Sequence, residues 1–265
     1  MRFATFNASL NRDTAGQLIT DLTTQNNPQA QDIAEIIQQV NPDVLLINEF
    51  DYNANNLNEA INLFQQNYLG VDQNPADSAG TVNYPFFYVA PSNTGVTSNF
   101  DLDNNGAIVT TVGAEGYGND ALGFGNFPGQ FGMVLLSKYP IVEDQVRTFK
   151  DFLWRDMPDA LLPDDPTTTD TSKDWYSPEE LAELPLSSKS HWDVPIEVDG
   201  EIIHVLVSHP TPPTFDGEED RNGRRNHDEI RFWSDYVTPT QGSYIYDDEG
   251  TTGGLTEGSA FVIMG

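Results

Sequence analysis

The chain has 265 residues, 38% hydrophobic and 11% aromatic, enough to bury one large core, and it is read as one domain over 1–265. Forty-one Asp and Glu against twelve Lys and Arg give a formal charge of -29, so most of the surface repels polyanions. Non-specific binding to duplex DNA, which rests on cation contacts to phosphate, is thereby disfavoured, and the absence of cysteine excludes a disulfide framework and thiol catalysis.

Met1 leads straight into a strand-like Arg2 to Phe6, with neither a signal-peptide pattern nor an apolar run long enough to span a bilayer in view. From Pro28 to Val40, residues Ile33, Ile36, Ile37 and Val40 recur at helical spacing, and Pro42 ends the helix. Asp43 to Phe50 is apolar on both faces until Asn48 and Glu49, as expected of a central strand covered on each side. Leu57, Ile61, Phe64 and Tyr68 mark a second helix. Phe86 to Ala90, Gly106 to Val112 and Phe131 to Ser137 are strand-like, separated by Gly, Asn and Pro.

From about 156 to 186, Pro, Thr and Asp replace apolar periodicity, which predicts a surface insertion with mild low complexity around Thr167 to Thr171. A short helix inside it is capped by Ser177-Pro178-Glu179-Glu180. His191 to Val198 and Glu201 to Ser208 flank Asp199-Gly200, a two-residue hairpin turn. Ile230, Trp233 and Val237 line a further helix, and Ala260 to Met264, apolar on both faces, belongs in the centre of a sheet. Strands interleaved with helices and hairpins predict a mixed sheet sandwich with helices outside, of the α/β or α+β class.

Three polar groups stand where predicted strands end: Asn7, Glu49 and His209. A rigid strand positions such groups while the following loop opens a cleft. Asn7 is equally read as a turn or cap residue. A carboxylate ending an apolar run must be hydrogen-bonded, paired or metal-bound, and no cation lies near Glu49 in sequence. A hard divalent ion such as Mg²⁺, or a distant arginine, would serve as its partner. His209, in VSHPTPP, has an ordinary pKa suited to acid or base work near neutrality. Between Arg12 and Lys138 there is no Lys or Arg, whereas Arg221, Arg224, Arg225 and Arg231 cluster. Asp220, Asp228 and Glu229 lie among them at helical spacing, so a salt-bridged helix face and a substrate anchor at Arg221 and Arg225 are both open.

The blocks ATFNAS, LLINEF, FGMVLLSKYPI, SSKSHWDVPI and VSHPTPP stand in the order and spacing of the endonuclease/exonuclease/phosphatase (DNase-I-like) superfamily, and the chain resembles it over nearly its whole length. SKSHWDVPI and SHPTPP most resemble secreted bacterial members, which implies an extracellular or periplasmic setting. The resemblance implies a four-layer α/β/β/α sandwich of two mixed β-sheets flanked by helices. It implies Glu49 as the principal metal-ligating carboxylate, Asn7 beside metal and phosphate, and His209 in contact with the scissile phosphate. His191 stands near where some nuclease members carry a phosphate-binding arginine. The implied chemistry is in-line attack of activated water on phosphorus, with Mg²⁺ or Mn²⁺ offsetting charge on the phosphoryl oxygens. The superfamily also has an Asp-x-Asn motif after a strand like AFVIMG and a later Asp-His pair. With Gly265 last, the resemblance leads one to expect half a site, little activity, and a C-terminally incomplete sandwich with an unpaired edge.

Asp101-x-Asp103-x-Asn105-Gly106 places oxygen ligands at positions 1, 3 and 5 of a calcium-type loop with the turn glycine at 6, although Val112 stands at position 12. An Asx-rich turn and a Ca²⁺ site are both open. The expected function is a divalent-metal phosphoester hydrolase acting on a small substrate. The rivals are a nuclease on extracellular or single-stranded DNA and a non-catalytic binding module that keeps the fold; no partner protein is implied.

Overall fold

The computed structural model describes residues 1–76, 79–169 and 172–265. Strand β1 (Phe3–Leu10) is followed by α1 (Gln17–Leu22) and α2 (Pro28–Val40). In α2, Pro28 opens the first turn, the Asn27 side chain accepts from Ala30 N, and Asn41 closes it in the left-handed region. Its buried face is Ala30, Ile33, Ala34 and Ile37, while Ile36 and Val40, expected on that face, are exposed. Strand β2 (Val44–Phe50) carries the apolar run. The helix expected around residues 57–68 is α3 (Glu59–Phe64) running into a π-helical turn (Gln65–Leu69), whose extra residue lets Phe64, Tyr68 and Leu69 all be buried.

Strands β3 (Phe86–Tyr88) and β4 (Met133–Ser137) complete a first sheet in the order β1-β2-β4-β3, with β1 parallel to β2 and the other pairs antiparallel. After β5 (Arg147–Thr148) and the short α4 (Pro178–Leu181) come β6 (His191–Val198), β7 (Glu201–Ser208), α5 (Arg221–Val237) and β8 (Ala260–Met264). The second sheet runs β5-β6-β7-β8, antiparallel except for β7 and β8. Asp199 and Gly200 turn the β6–β7 hairpin with φ of 53° and 85°, which is why that dipeptide sits there.

Three apolar clusters define four layers. Leu45 and Ile47 of β2 pack outward against Ile33 and Ile37 of α2 and Ile61 and Phe64 of α3. Val44 and Leu46, on the opposite face, pack with Leu135 against Trp192, Val194, Val205 and Val207 of the second sheet. Leu206 packs outward against Phe232, Trp233 and Tyr236 of α5. The result is a helix/sheet/sheet/helix sandwich, as the periodicity and the resemblance lead one to expect.

Several expectations need correction. Gly106 to Val112 forms no strand; Ile108 and Val112 are exposed, and Val109 N donates to Asp120 Oδ2 rather than to a neighbouring strand. The segment from about 156 to 186 has its capping box at Ser177 and Glu180, but it is more than a surface excursion, burying Met157, Ala160, Tyr176, Leu184 and Leu186. Asp170 and Thr171 of its Thr-rich stretch lie outside the described residues. Helix α5 is rotated from the expected face: Ile230 is 56% exposed, whereas Arg225, Asp228 and Glu229 are buried with the aromatics. Strand β8, apolar enough for a central place, is the outermost strand of its sheet among the described residues, with Phe261 and Ile263 exposed, which is the unpaired edge the resemblance leads one to expect. Among the described residues no helix is long and apolar enough to cross a membrane.

Candidate active site

The site is built where β1 and β2 lose register. Asn7 pairs with Asn48, but the next pair is Leu10 with Phe50, so Ala8 and Ser9 lie opposite the single residue Glu49. Ser9 and Glu49 both sit in the left-handed region, with φ of 49° and 58°. For side-chain-bearing residues that conformation costs on the order of 1–3 kcal/mol each. The bulge inverts the strand's parity: Leu45 and Ile47 face the helices, then Phe50 takes that place, and Glu49 is spared burial in the apolar layer.

The freed carboxylate is held by two amides, one from β1 and one from the residue just beyond its end. Asn7 Nδ2 donates to Oε1 at 2.8 Å and Asn11 Nδ2 to Oε2 at 3.1 Å. Asn7 Oδ1 accepts from Ser9 N at 3.1 Å, tying the same bulge back on itself. His209 Nε2 lies 3.6 Å from Oε1, an electrostatic contact rather than a short hydrogen bond. The His209 ring, opposed by burial and assisted by the Asn7 amide, holds Glu49 below the usual carboxylate range. Burial, opposed by Glu49, holds His209 below the ordinary imidazole value, so the ring is neutral near neutral pH. Asp51, two residues on, accepts from Arg12 N at 2.7 Å and Phe131 N at 2.9 Å, and burial pushes its carboxyl up to about 7.

On the opposite sheet, Glu229 of α5 secures the loops around His209. Its Oε1 accepts from Ser188 N at 2.8 Å and its Oε2 from Thr211 N at 2.5 Å, so a fully buried carboxylate joins the entry to β6 and the exit from β7. The structure therefore brings Asn7, Glu49 and His209 together at one end of the sandwich. It adds Asn11 and Glu229, which the sequence reading missed: Asn11 acts only through the bulge, and Glu229 had been counted with a charged helix face.

The expected substrate contacts are engaged elsewhere. His191 is 1% exposed, with Nε2 2.8 Å from the Glu229 carbonyl and its ring 4.7 Å from Phe232 and 5.0 Å from Trp233. Arg225 is buried and donates to the carbonyls of Leu186, Leu122 and Pro185, each at 2.8 Å. Arg221 pairs with Glu219 at 3.3 Å and lies over the Trp175 ring.

In the calcium-type loop, Asp101 accepts from Asn105 N at 3.0 Å and Gly106 N at 2.7 Å, and Asn105 Oδ1 accepts from Ala107 N. These are Asx-turn bonds. The carboxylates that converge are those of Asp101, Asp103 and the buried Asp120, with ligand atoms within 4.8 Å of one another.

The profile of the Endonuclease/Exonuclease/phosphatase family matches residues 4–265. A comparison with curated proteins finds no match. Among solved structures, a β-hairpin deletion mutant of beta toxin from Staphylococcus aureus is 16% identical at a TM-score of 0.35, the alignment covering 86% of this chain and 59% of that one. An endonuclease/exonuclease/phosphatase from Beutenbergia cavernae is 16% identical at a TM-score of 0.36, covering 80% and 38%. Sphingomyelinase C from Streptomyces griseocarneus is 15% identical at 0.32, covering 86% and 55%. The chain thus spans less than two thirds of each of these structures. With a family profile running through both sheets and over Asn7, Glu49 and His209, the chain belongs to the endonuclease/exonuclease/phosphatase family.

Proposed function

We propose that the protein is a divalent-metal-dependent phosphoester hydrolase whose site is centred on Glu49. The observation that carries this reading is an ionised carboxylate set at a strained bulge between two amides, with a neutral imidazole 3.6 Å away. The residues fit a hard cation: the donors are oxygens, Glu49 is held ionised, and the neighbouring Asn48 Oδ1 is buried with no hydrogen-bond partner. Glu49 would hold Mg²⁺ or Mn²⁺, with Asn7 beside it. When bound, such an ion supplies charge neutralisation at the phosphoryl oxygens and a binding place for water.

The chain's own groups divide the remaining work. Asn7 and Asn11 fix both carboxylate oxygens, so Glu49 meets its ligand in one orientation. His209, neutral because it is buried, turns its Nε2–H edge toward Glu49, which orients the ring and leaves its other nitrogen as the basic one. The net charge of -29 favours a small phosphoester over a polynucleotide. A nuclease acting on single-stranded or extracellular DNA is the second enzymatic reading, because the family includes that chemistry. The resemblance of SKSHWDVPI and SHPTPP to secreted bacterial members supports an extracellular or periplasmic place of action.

The test assays hydrolysis of bis(p-nitrophenyl) phosphate and p-nitrophenyl phosphate with and without Mg²⁺, beside Mg²⁺ titration of the wild-type chain and Glu49→Gln. Metal binding abolished by Glu49→Gln, together with metal-dependent turnover, supports the reading. Metal binding indifferent to Glu49→Gln overturns it and leaves a binding module that kept the sandwich.

A further inference from the structure

The chain that leaves β7 climbs α5 one contact at a time. Trp233 Nε1 donates to Ser208 Oγ at 3.0 Å, Thr211 N to Glu229, Asn226 Nδ2 to the Thr211 carbonyl at 2.7 Å and Asn222 Nδ2 to the Thr214 carbonyl at 2.7 Å. Glu229 and Asn222 are seven positions apart on the helix, so Thr214 stands roughly 10 Å beyond the level of Thr211, toward the N-terminus of α5. His209 lies at the foot of this loop and Phe215 at its tip.

Phe215 is 84% exposed, the highest value for a large apolar side chain among the described residues. A single apolar group on a surface is ordinary and by itself says nothing. This one also has left-handed backbone, with φ of 67°, which a bulky side chain rarely adopts and which persists only where its surroundings impose it. Both flanks impose it here: Thr214 N donates to the Pro212 carbonyl at 2.8 Å, and on the other side Asn222 N donates to Asp216 Oδ2 at 2.7 Å. Pro210, Pro212 and Pro213 stiffen the path from His209 to the tip. Burial within the fold therefore accounts neither for the ring nor for the strain beneath it.

The charge around the ring limits what it meets. Asp216, Glu218, Glu219 and Asp220 follow it directly, and Arg221, the first cation after them, is paired to Glu219. A polynucleotide would bring repeated negative charge against these carboxylates, whereas an uncharged apolar body would not. We propose that Phe215 is a specificity-determining residue of this site, packing against an uncharged apolar group, alkyl or aryl, that the leaving alcohol of the phosphoester carries roughly 10 Å outward from the level of His209. The assignment rests on the reading of Glu49 and His209 given above and names the substrate class, phosphoesters of long-chain or aryl-extended alcohols.

The test measures binding of octylphosphonate and ethylphosphonate, whose P–C bonds resist hydrolysis, by calorimetry with Mg²⁺ present and below the concentration at which octyl chains associate. The proteins are the wild-type chain, Phe215→Gly, Phe215→Trp and Glu49→Gln, and the thermal midpoint and Mg²⁺ binding without phosphonate are recorded on each. The wild type should favour the octyl ligand about tenfold or more, Phe215→Gly should lose most of that preference, and Phe215→Trp should keep it. Glycine suits the left-handed backbone, so Phe215→Gly should melt no lower than the wild type, which keeps a loss of binding apart from a loss of fold. An octyl preference in Phe215→Gly equal to that of the wild type, or none in the wild type, overturns the proposal. So does a ring that drives binding to phosphatidylcholine vesicles with no octyl preference, which would assign it to a lipid surface. Failure of the Glu49 reading would show separately, as Mg²⁺ binding that survives Glu49→Gln.

Discussion

Asn7 and Glu49 are 42 positions apart, yet the Asn7 amide meets Glu49 Oε1 at 2.8 Å because their strands run parallel and in register up to the bulge. The amide selects the ionised form of the carboxylate. Asn7→Ala should therefore raise the Glu49 pKa and weaken Mg²⁺ binding by roughly tenfold, in the range typical of lost outer-shell hydrogen bonds. Calorimetric titration at pH 7 and pH 5 measures it, and the deficit should be larger at pH 5.

His191 is expected to behave as a core residue. Burial lowers its pKa below 6.5, so the unfolded chain takes up the proton first. Its contribution to stability is complete above about 6.5 and is lost as pH falls from there toward the folded value. Thermal midpoints between pH 7 and pH 5 should fall for the wild type and fall less steeply for His191→Phe, whose ring suits the cluster of Phe232 and Trp233. His209, displaced in the same direction, supplies the remaining slope. An unchanged slope would place the His191 proton outside the core.

Arg225→Lys removes a planar fork that meets three backbone carbonyls at 2.8 Å. Lysine cannot reproduce that geometry, and the carbonyls it abandons are in a buried region. The substitution should cost about 2–4 kcal/mol in urea unfolding. Phosphate affinity of the folded fraction should stay the same, which separates a structural arginine from a substrate anchor.

The carboxylates of Asp101, Asp103 and Asp120 should take Ca²⁺ weakly, with Kd on the order of 10⁻⁴ M or above, because the bidentate twelfth-position ligand is missing. Asp120 is further committed to Leu102 N and Val109 N. Submicromolar binding abolished by Asp103→Ala would refute this expectation.

The residues legible from sequence were those whose position is fixed locally. Asn7, Glu49 and His209 each close an apolar run in the sequence, although the first two lie within strands of the first sheet and the third follows a strand of the second. Asn11 was hidden because its reach depends on a register shift between strands 40 residues apart, which no local pattern records. Helix α5 misled for a different reason: Ile230 and Val237 suggested the buried face, but Asp228 and Glu229 are buried to satisfy the Trp154 indole and the backbone of residues 161, 188 and 211. Composition treats such charges as solvated, so Arg225 was read as a salt-bridged face or a substrate anchor and His191 as a substrate contact, whereas both belong to the same buried polar layer.

The left-handed backbone at Glu49 sets two kinds of selection against each other at one codon. Glycine or asparagine would relax that conformation, and neither could supply the carboxylate. A lineage that no longer used the site would be free to drift toward those residues and gain stability, so a glutamate kept there is a running cost that only use can maintain. In a library randomised at position 49 and sorted for heat resistance alone, Gly and Asn should displace Glu; sorted for metal-dependent turnover, Glu should return, and the two winners should never coincide.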